Sequence, residues 1–302
     1  MTEALRTPDD RFSALPGYRF EPRYLDDLDG FAGLRMHYLD EGPAEAAETF
    51  LCLHGQPTWS FLYRKMIPVF TAAGHRAVAP DFYGFGRSDK PVDEEVYSFD
   101  LHRRTLLAFI GRLDLGRITL VAQDWGGLIG LTLPMAMPER FSRMLLMNTI
   151  LATGDLPLSQ GFVQWRAWCR KNPDMDIAAL MGRACPSLTE AERQAYAAPF
   201  PDIHHKAGVR RFPELVPEHP DDPGAALSRQ ARLWLAQEWA GESFLAVGAR
   251  DPVLGAPAMS YLRRFVRNSP EPLILSEAGH FVQEWGEEVA LAALRAFAGG
   301  EA

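Results

Sequence analysis

The stretch 117–127 constrains this chain more than any other. Arg117-Ile118-Thr119-Leu120-Val121-Ala122 is apolar and β-branched, the pattern of a buried strand. Residues 128–137 carry few breakers before Pro138 and predict a helix. Between them stands Ala122-Gln123-Asp124-Trp125-Gly126, an aspartate with small residues two positions before and after it. That spacing lets a strand turn sharply into a helix without Cβ clashes, presenting the central side chain as a nucleophile. A plainer reading is a glycine-containing strand–helix turn with Asp124 as its N-cap. The stretch alone leaves both open.

The surrounding pattern alternates. Residues 1–25 read as an irregular, proline-punctuated lead-in, and 34–39 as a half-buried strand with His37 exposed. Thr49-Phe50-Leu51-Cys52-Leu53 is a continuous apolar strand ending in His54-Gly55, and Pro57 turns residues 55–58 into a loop. A helix is predicted over 59–73, a strand over 76–80, turns over 81–89, a helix over 101–113 and a strand over 144–148. Strand patterns return at 242–248 and 272–275. A last helix over 287–297 places Val289, Ala290, Ala293, Leu294 and Phe297 on one apolar face. Strands and helices at this spacing indicate an α/β fold, a doubly wound and mostly parallel sheet. From about 153 to 220, helical stretches (162–170, 177–183 and 189–197) and prolines replace strands. The expected organisation is a core of 1–152 and 221–302 with an inserted helical cap of 153–220.

Bulk properties narrow the partners. A net charge of −8 and a pI near 5.5 argue against nucleic acid. The pairs Arg210-Arg211 and Arg263-Arg264 read as isolated surface charge. No apolar run approaches membrane-spanning length, and residues 1–6 open no leader peptide, so the expectation is a cytoplasmic monomer away from membranes. Cys52, Cys169 and Cys185 are odd in number and lack metal-ligand spacing. They are expected to be reduced and without chemistry, and neither metal nor cofactor is expected.

Three titratable residues fall at predicted strand ends: Asp124 at the elbow, Asp251 in Ala249-Arg250-Asp251-Pro252, and His280 in Glu277-Ala278-Gly279-His280-Phe281. Doubly wound sheets bind ligands at the carboxyl ends of their strands, where these three would converge. Their chain order, nucleophile then acid then histidine, is that of a hydrolase triad. Singly, Asp251 before Pro252 is an ordinary turn and His280 an ordinary loop residue.

Together these residues resemble the haloalkane dehalogenases of the α/β-hydrolase superfamily, in the subfamily whose acid follows the strand after the cap. The matching stretches are 53–60, Leu62-Tyr63-Arg64-Lys65, Ala79-Pro80-Asp81, 84–91, Gln123-Asp124-Trp125-Gly126-Gly127 and 279–284, with 161–165 and 197–201 in the cap. The resemblance implies an α/β-hydrolase fold and hydrolysis of short haloalkanes to alcohol, halide and a proton. Its partners would be a small halogenated aliphatic substrate and a halide product.

The chemistry suits the residues. A serine would form a stable ether with an sp³ carbon, whereas a carboxylate forms an ester that water can break. Carboxylates are ionised at neutral pH and need no activating base. The resemblance therefore assigns nucleophilic attack to Asp124, water activation to His280, and orientation of His280 to Asp251. Backbone N–H groups of Gln56 and Trp125 would hold the oxyanion. A halide leaving into a dry pocket needs donors, and an indole N–H offers one without a competing lone pair. Trp125 and Trp165 would supply two, each contributing about 1.5–3 kcal/mol. Trp168, Trp234 and Trp239 are rivals of Trp165 in sequence. The resemblance also implies that Leu128, Phe162, Phe212, Pro213, Val253 and Leu254 wall the pocket. One departure is Gln56, where the family's pattern has an acid: any side-chain hold on the hydrolytic water passes to a carboxamide.

Other functions share the architecture. An epoxide hydrolase would use two cap tyrosines, and 153–220 contains only Tyr196. A fluoroacetate-type enzyme would need arginines for a substrate carboxylate, and the elbow neighbour is Trp125 instead. A non-catalytic ligand-binding homologue would not require the full triad.

Overall fold

The computed structural model describes residues 2–299; Met1 and the final residues 300–302 of the expected core lie outside it. Its strands are β1 (Ala4–Leu5), β2 (Arg23–Leu25), β3 (Met36–Glu41), β4 (Thr49–Leu53), β5 (Arg76–Pro80), β6 (Lys90–Pro91), β7 (Ile118–Gln123), β8 (Phe141–Met147), β9 (Glu242–Gly248) and β10 (Leu273–Leu275). The helices are α1 (Ile67–Ala72), α2 (Phe99–Arg112), α3 (Trp125–Gly130), α4 (Gln160–Lys171), α5 (Ile177–Ala184), α6 (Glu190–Ala197), α7 (Ala207–Arg211), α8 (Ala225–Gln237), α9 (Ala256–Arg263) and α10 (Gly286–Gly299).

Eight strands form one sheet in the order β10-β9-β8-β7-β4-β5-β3-β2. From β5 across to β10 every pairing is parallel; β3 on β5 and β2 on β3 are antiparallel. β4 and β7 are buried along their whole length. Helices cover both faces, so these strands read as unbroken apolar runs. The apolar face of α10 closes one side with Val289, Ala290, Ala293 and Phe297 buried. Between Met147 and Glu242 no strand occurs among the described residues, and α4 to α8 fall in that interval.

Several sequence expectations are corrected. The helix after the elbow stops at Gly130, because Pro134 has no N–H to bond the Gly130 carbonyl and its ring would clash there. The segment expected as a helix over 59–73 is a 3-10 turn at Ser60–Tyr63 followed by α1, which begins only where Pro68 can occupy the first turn. The lead-in contributes β2 to the sheet edge. His37 is buried, with Nδ1 at 2.7 Å from Asp81 Oδ2. Asp81 also accepts from the N–H groups of Ser60 and Arg87. Burial disfavours its charge, but His37 and these donors outweigh that and hold the carboxyl down at about 2. Three of the four expected surface arginines are ion-paired: Arg210 with Glu94, Arg211 with Glu95 and Arg263 with Glu271.

Candidate active site

Asp124 sits between β7 and α3 with φ +51°, a left-handed conformation that an aspartate adopts only under tertiary constraint. Two backbone bonds anchor it: its N–H donates to the Asn148 carbonyl at 3.1 Å, and its own carbonyl accepts from Thr149 Oγ1 at 2.8 Å. The turn needs a bare backbone at Gly126, where a Cβ would come within 1.9 Å of the Leu53 carbonyl oxygen. The small residue two places after the nucleophile is thus explained by contact with β4. The N-cap alternative fails, since the Asp124 side chain caps nothing in α3.

The carboxylate is fixed at one oxygen and faces His280 with the other. Oδ1 accepts from the Gln56 N–H at 2.9 Å, and Oδ2 lies 3.5 Å from His280 Nε2. The Trp125 N–H, the other expected oxyanion donor, bonds neither carboxylate oxygen in this arrangement. The loop bearing Gln56 is fixed by buried His54, whose Nδ1 meets the Gly55 carbonyl at 2.9 Å while Nε2 accepts from the Phe82 N–H at 3.0 Å. The Gln56 side chain reaches toward α7, Nε2 donating to the Val209 carbonyl at 3.1 Å. That leaves its amide oxygen as the group able to meet a water.

His280 Nδ1 lies 2.8 Å from Asp251 Oδ2. Burial opposes charge on the ring, but Asp251 and Asp124 outweigh it and push His280 up to about 10. Burial likewise opposes charge on Asp251, while His280 and the Val253 N–H at 2.8 Å hold it down at about 2. Each member of the pair therefore favours the charged form of the other.

Two cavities meet at Asp124. The larger, about 510 Å³, is lined by Leu128, Phe162, Val253 and Leu254 together with Leu156, Val216 and several prolines. The smaller, about 330 Å³, is lined by Gln56, Trp165, Pro213, Arg183, Arg250 and His280. Asp124, Trp125, Phe162 and Asp251 border both. The indole N–H groups of Trp125 and Trp165 have no acceptor among the described residues, so both are free to donate. The rivals of Trp165 are placed elsewhere: Trp168 stacks on it at 5.3 Å, and Trp239 packs beside Trp234 with its N–H donated to Ser243. Phe212, expected on the wall, is instead fully buried behind Trp125, ring centroids 4.7 Å apart, because His102 and Phe85 enclose its other sides.

Sequence reasoning missed several residues. Asn148 donates to Asp251 Oδ2 at 2.9 Å and accepts from the Gly248 N–H at 2.9 Å, tying β8 to the acid. Gln123 bonds His280. Both are lone amides closing apolar strands at their carboxyl ends, the signal that could have exposed them. Arg183 adds positive charge to the smaller cavity, whereas Arg250 on its wall is paired with Glu277. Tyr196 lies outside both cavities, its hydroxyl bonded to Glu284 and Arg64.

The arrangement offers an anchored carboxyl group, a histidine beside it and free N–H donors in an apolar chamber. Residues 48–287 match the family model described as alpha/beta hydrolase fold. The chain is 44% identical to a haloalkane dehalogenase of Psychrobacter cryohalolentis over 95% of each chain. It is 43% identical to haloalkane dehalogenase 1 of Mycobacterium tuberculosis, covering 93% of this chain and 94% of that one. Among solved structures, the tetrameric haloalkane dehalogenase DpaA of Paraglaciecola agarilytica superposes with a TM-score of 0.95 at 50% identity, covering 97% and 98% of the two chains.

Proposed function

The chain belongs to the haloalkane dehalogenases of the alpha/beta hydrolase fold, and from that premise we propose that Asp124, His280 and Asp251 carry its hydrolysis of carbon–halogen bonds. The observation that carries this reading is the Asp124 carboxylate, one oxygen on the Gln56 N–H and the other facing His280 beside two acceptor-free indoles.

Oδ2 of Asp124 attacks the carbon, the carbon–halogen bond breaks, and the halide leaves toward the N–H groups of Trp125 and Trp165. His280 then takes a proton from a water that adds to the Asp124 carboxyl carbon. Oδ1 becomes the oxyanion and stays on the Gln56 N–H. Collapse expels the alkoxide, which takes the proton back from His280. The new carboxyl proton is lost to solvent, so haloalkane and water give alcohol, halide and one proton. Asp251 holds the proton-bearing Nδ1 throughout. Residues 153–220 act as the cap over a core of 1–152 and 221–302, and Leu128, Phe162, Pro213, Val253 and Leu254 receive the alkyl chain.

Halide release from 1-bromobutane or 1-chlorobutane, followed as acidification, tests the activity; no release from either would overturn it. Trp165→Phe removes one donor and is expected to lower kcat/KM roughly 10- to 150-fold, the equivalent of about 1.5–3 kcal/mol. Unchanged kinetics would remove Trp165 from the halide site. An epoxide is expected to remain closed, since the Tyr196 hydroxyl is already engaged.

No helix among the described residues is long and apolar enough to cross a membrane. A cytoplasmic location suits the three free, buried cysteines. The proposed monomer predicts a light-scattering mass of 33.7 kDa. A fourfold mass would make the chain an assembly like its relative DpaA.

A further inference from the structure

Gln123 is fully buried at the last position of β7, directly before Asp124. Its Nε2 lies 2.9 Å from His280 Nε2 and 3.1 Å from the His280 carbonyl oxygen, while its Oε1 is buried without a partner. A carbonyl can only accept, so the amide NH2 must face it; the flipped amide would set two oxygens against each other. Oriented this way, the amide can meet His280 Nε2 as a donor only when the ring is neutral and Nε2 offers its lone pair. The ring proton then sits on Nδ1, which donates to Asp251 at 2.8 Å. An imidazolium would instead point one N–H at another.

We propose that Gln123 is a positioning residue that keeps His280 in its base form during ester hydrolysis, by donating to Nε2 and disfavouring the doubly protonated ring. This deepens the reading of Asp124 and His280 given above and rests on it. The charged groups around the ring are Asp124 and Asp251, with Arg183 on the wall of the same cavity and Arg250 there paired with Glu277. Before alkylation both carboxylates draw a proton onto the ring. Once Asp124 is esterified its charge is gone, and the donor on Nε2 acts against Asp251 alone. That is the step at which a free lone pair is needed. An unpaired buried oxygen is unfavourable in itself, so the amide keeps the orientation that serves its two acceptors.

Single-turnover reactions with excess enzyme, quenched for mass spectrometry across pH, separate formation of the alkyl-enzyme from its decay. Gln123→Met is expected to slow decay at pH 7.5 about tenfold, far more than formation, with the decay midpoint about one pH unit higher and the rate recovering in alkali. Gln123→Glu removes the donor and adds an anion, so its midpoint should move further. A packing role would slow both steps at every pH. An unchanged midpoint in either folded variant overturns the inference, whereas the absence of any alkyl-enzyme in the unaltered protein overturns the reading beneath it. Should neither variant fold, Asp124→Asn supplies a neutral group in place of the ester. Nitrogen NMR is then expected to show His280 Nε2 unprotonated at pH 7.5, and a protonated Nε2 there overturns the inference.

Discussion

His280→Gln is expected to release one equivalent of bromide per protein from 1-bromobutane and then stop. Attack on carbon uses the Asp124 carboxylate, which needs no base. Hydrolysis of the resulting ester uses His280, whose Nε2 faces Asp124 Oδ2 at 3.5 Å. Removing the base leaves the first half-reaction and loses the general-base contribution to the second, typically a factor of about 10²–10⁴. Intact mass should rise by the butyl group, and peptide mapping should place it on Asp124. Steady turnover at the unaltered rate would show that His280 does not activate the water. A variant releasing no bromide at all would show that it is needed for alkylation, contrary to the division of labour proposed here.

The second large effect concerns stability. Glu284→Ala is expected to cost about 3–5 kcal/mol, because it strips the partner from a buried cation. Glu284 accepts from Arg64 at 2.7 and 2.8 Å and from Lys65 Nζ at 2.8 Å, while Arg64 also donates to Glu192 on α6 at 2.8 Å. The Arg64 and Glu284 side chains are only 2% and 1% exposed, so water cannot replace what is lost. For a chain of this size the melting temperature should fall by on the order of 10 °C. Arg64→Met combined with Glu284→Leu removes both charges and should recover much of the loss. Calorimetry checks both; equal melting of the single variant and the unaltered protein would show the cluster to be well hydrated. Burial works against the Glu284 carboxylate, but Arg64 and Lys65 outweigh it and hold it below its ordinary 4.5. The cluster's contribution is therefore full above that pH and fades as the pH falls below it.

Local chemistry was legible in the chain. The apolar run of β7, Ala122 and Gly126 around Asp124, and Pro57 after His54-Gly55 are short-range patterns, and each dictates backbone shape within a few residues. The order of Asp124, Asp251 and His280 at three strand ends followed from the same periodicities. Where a local pattern was misread, as with Pro134 and Pro68, the cause was a breaker overlooked inside an apolar window.

What the chain could not disclose depends on contacts between distant segments. Whether His37 faced solvent was decided by Asp81 arriving from β5, and whether Phe212 met substrate by the rings that enclose it. The partners of Gln123 and Asn148 lie far along the chain, as do those that tie Arg64 to Glu284. Periodicity tells a side chain which face it occupies, but only packing determines what waits on that face. A lone amide at a strand end acquires its role from the histidine or carboxylate that folding brings against it.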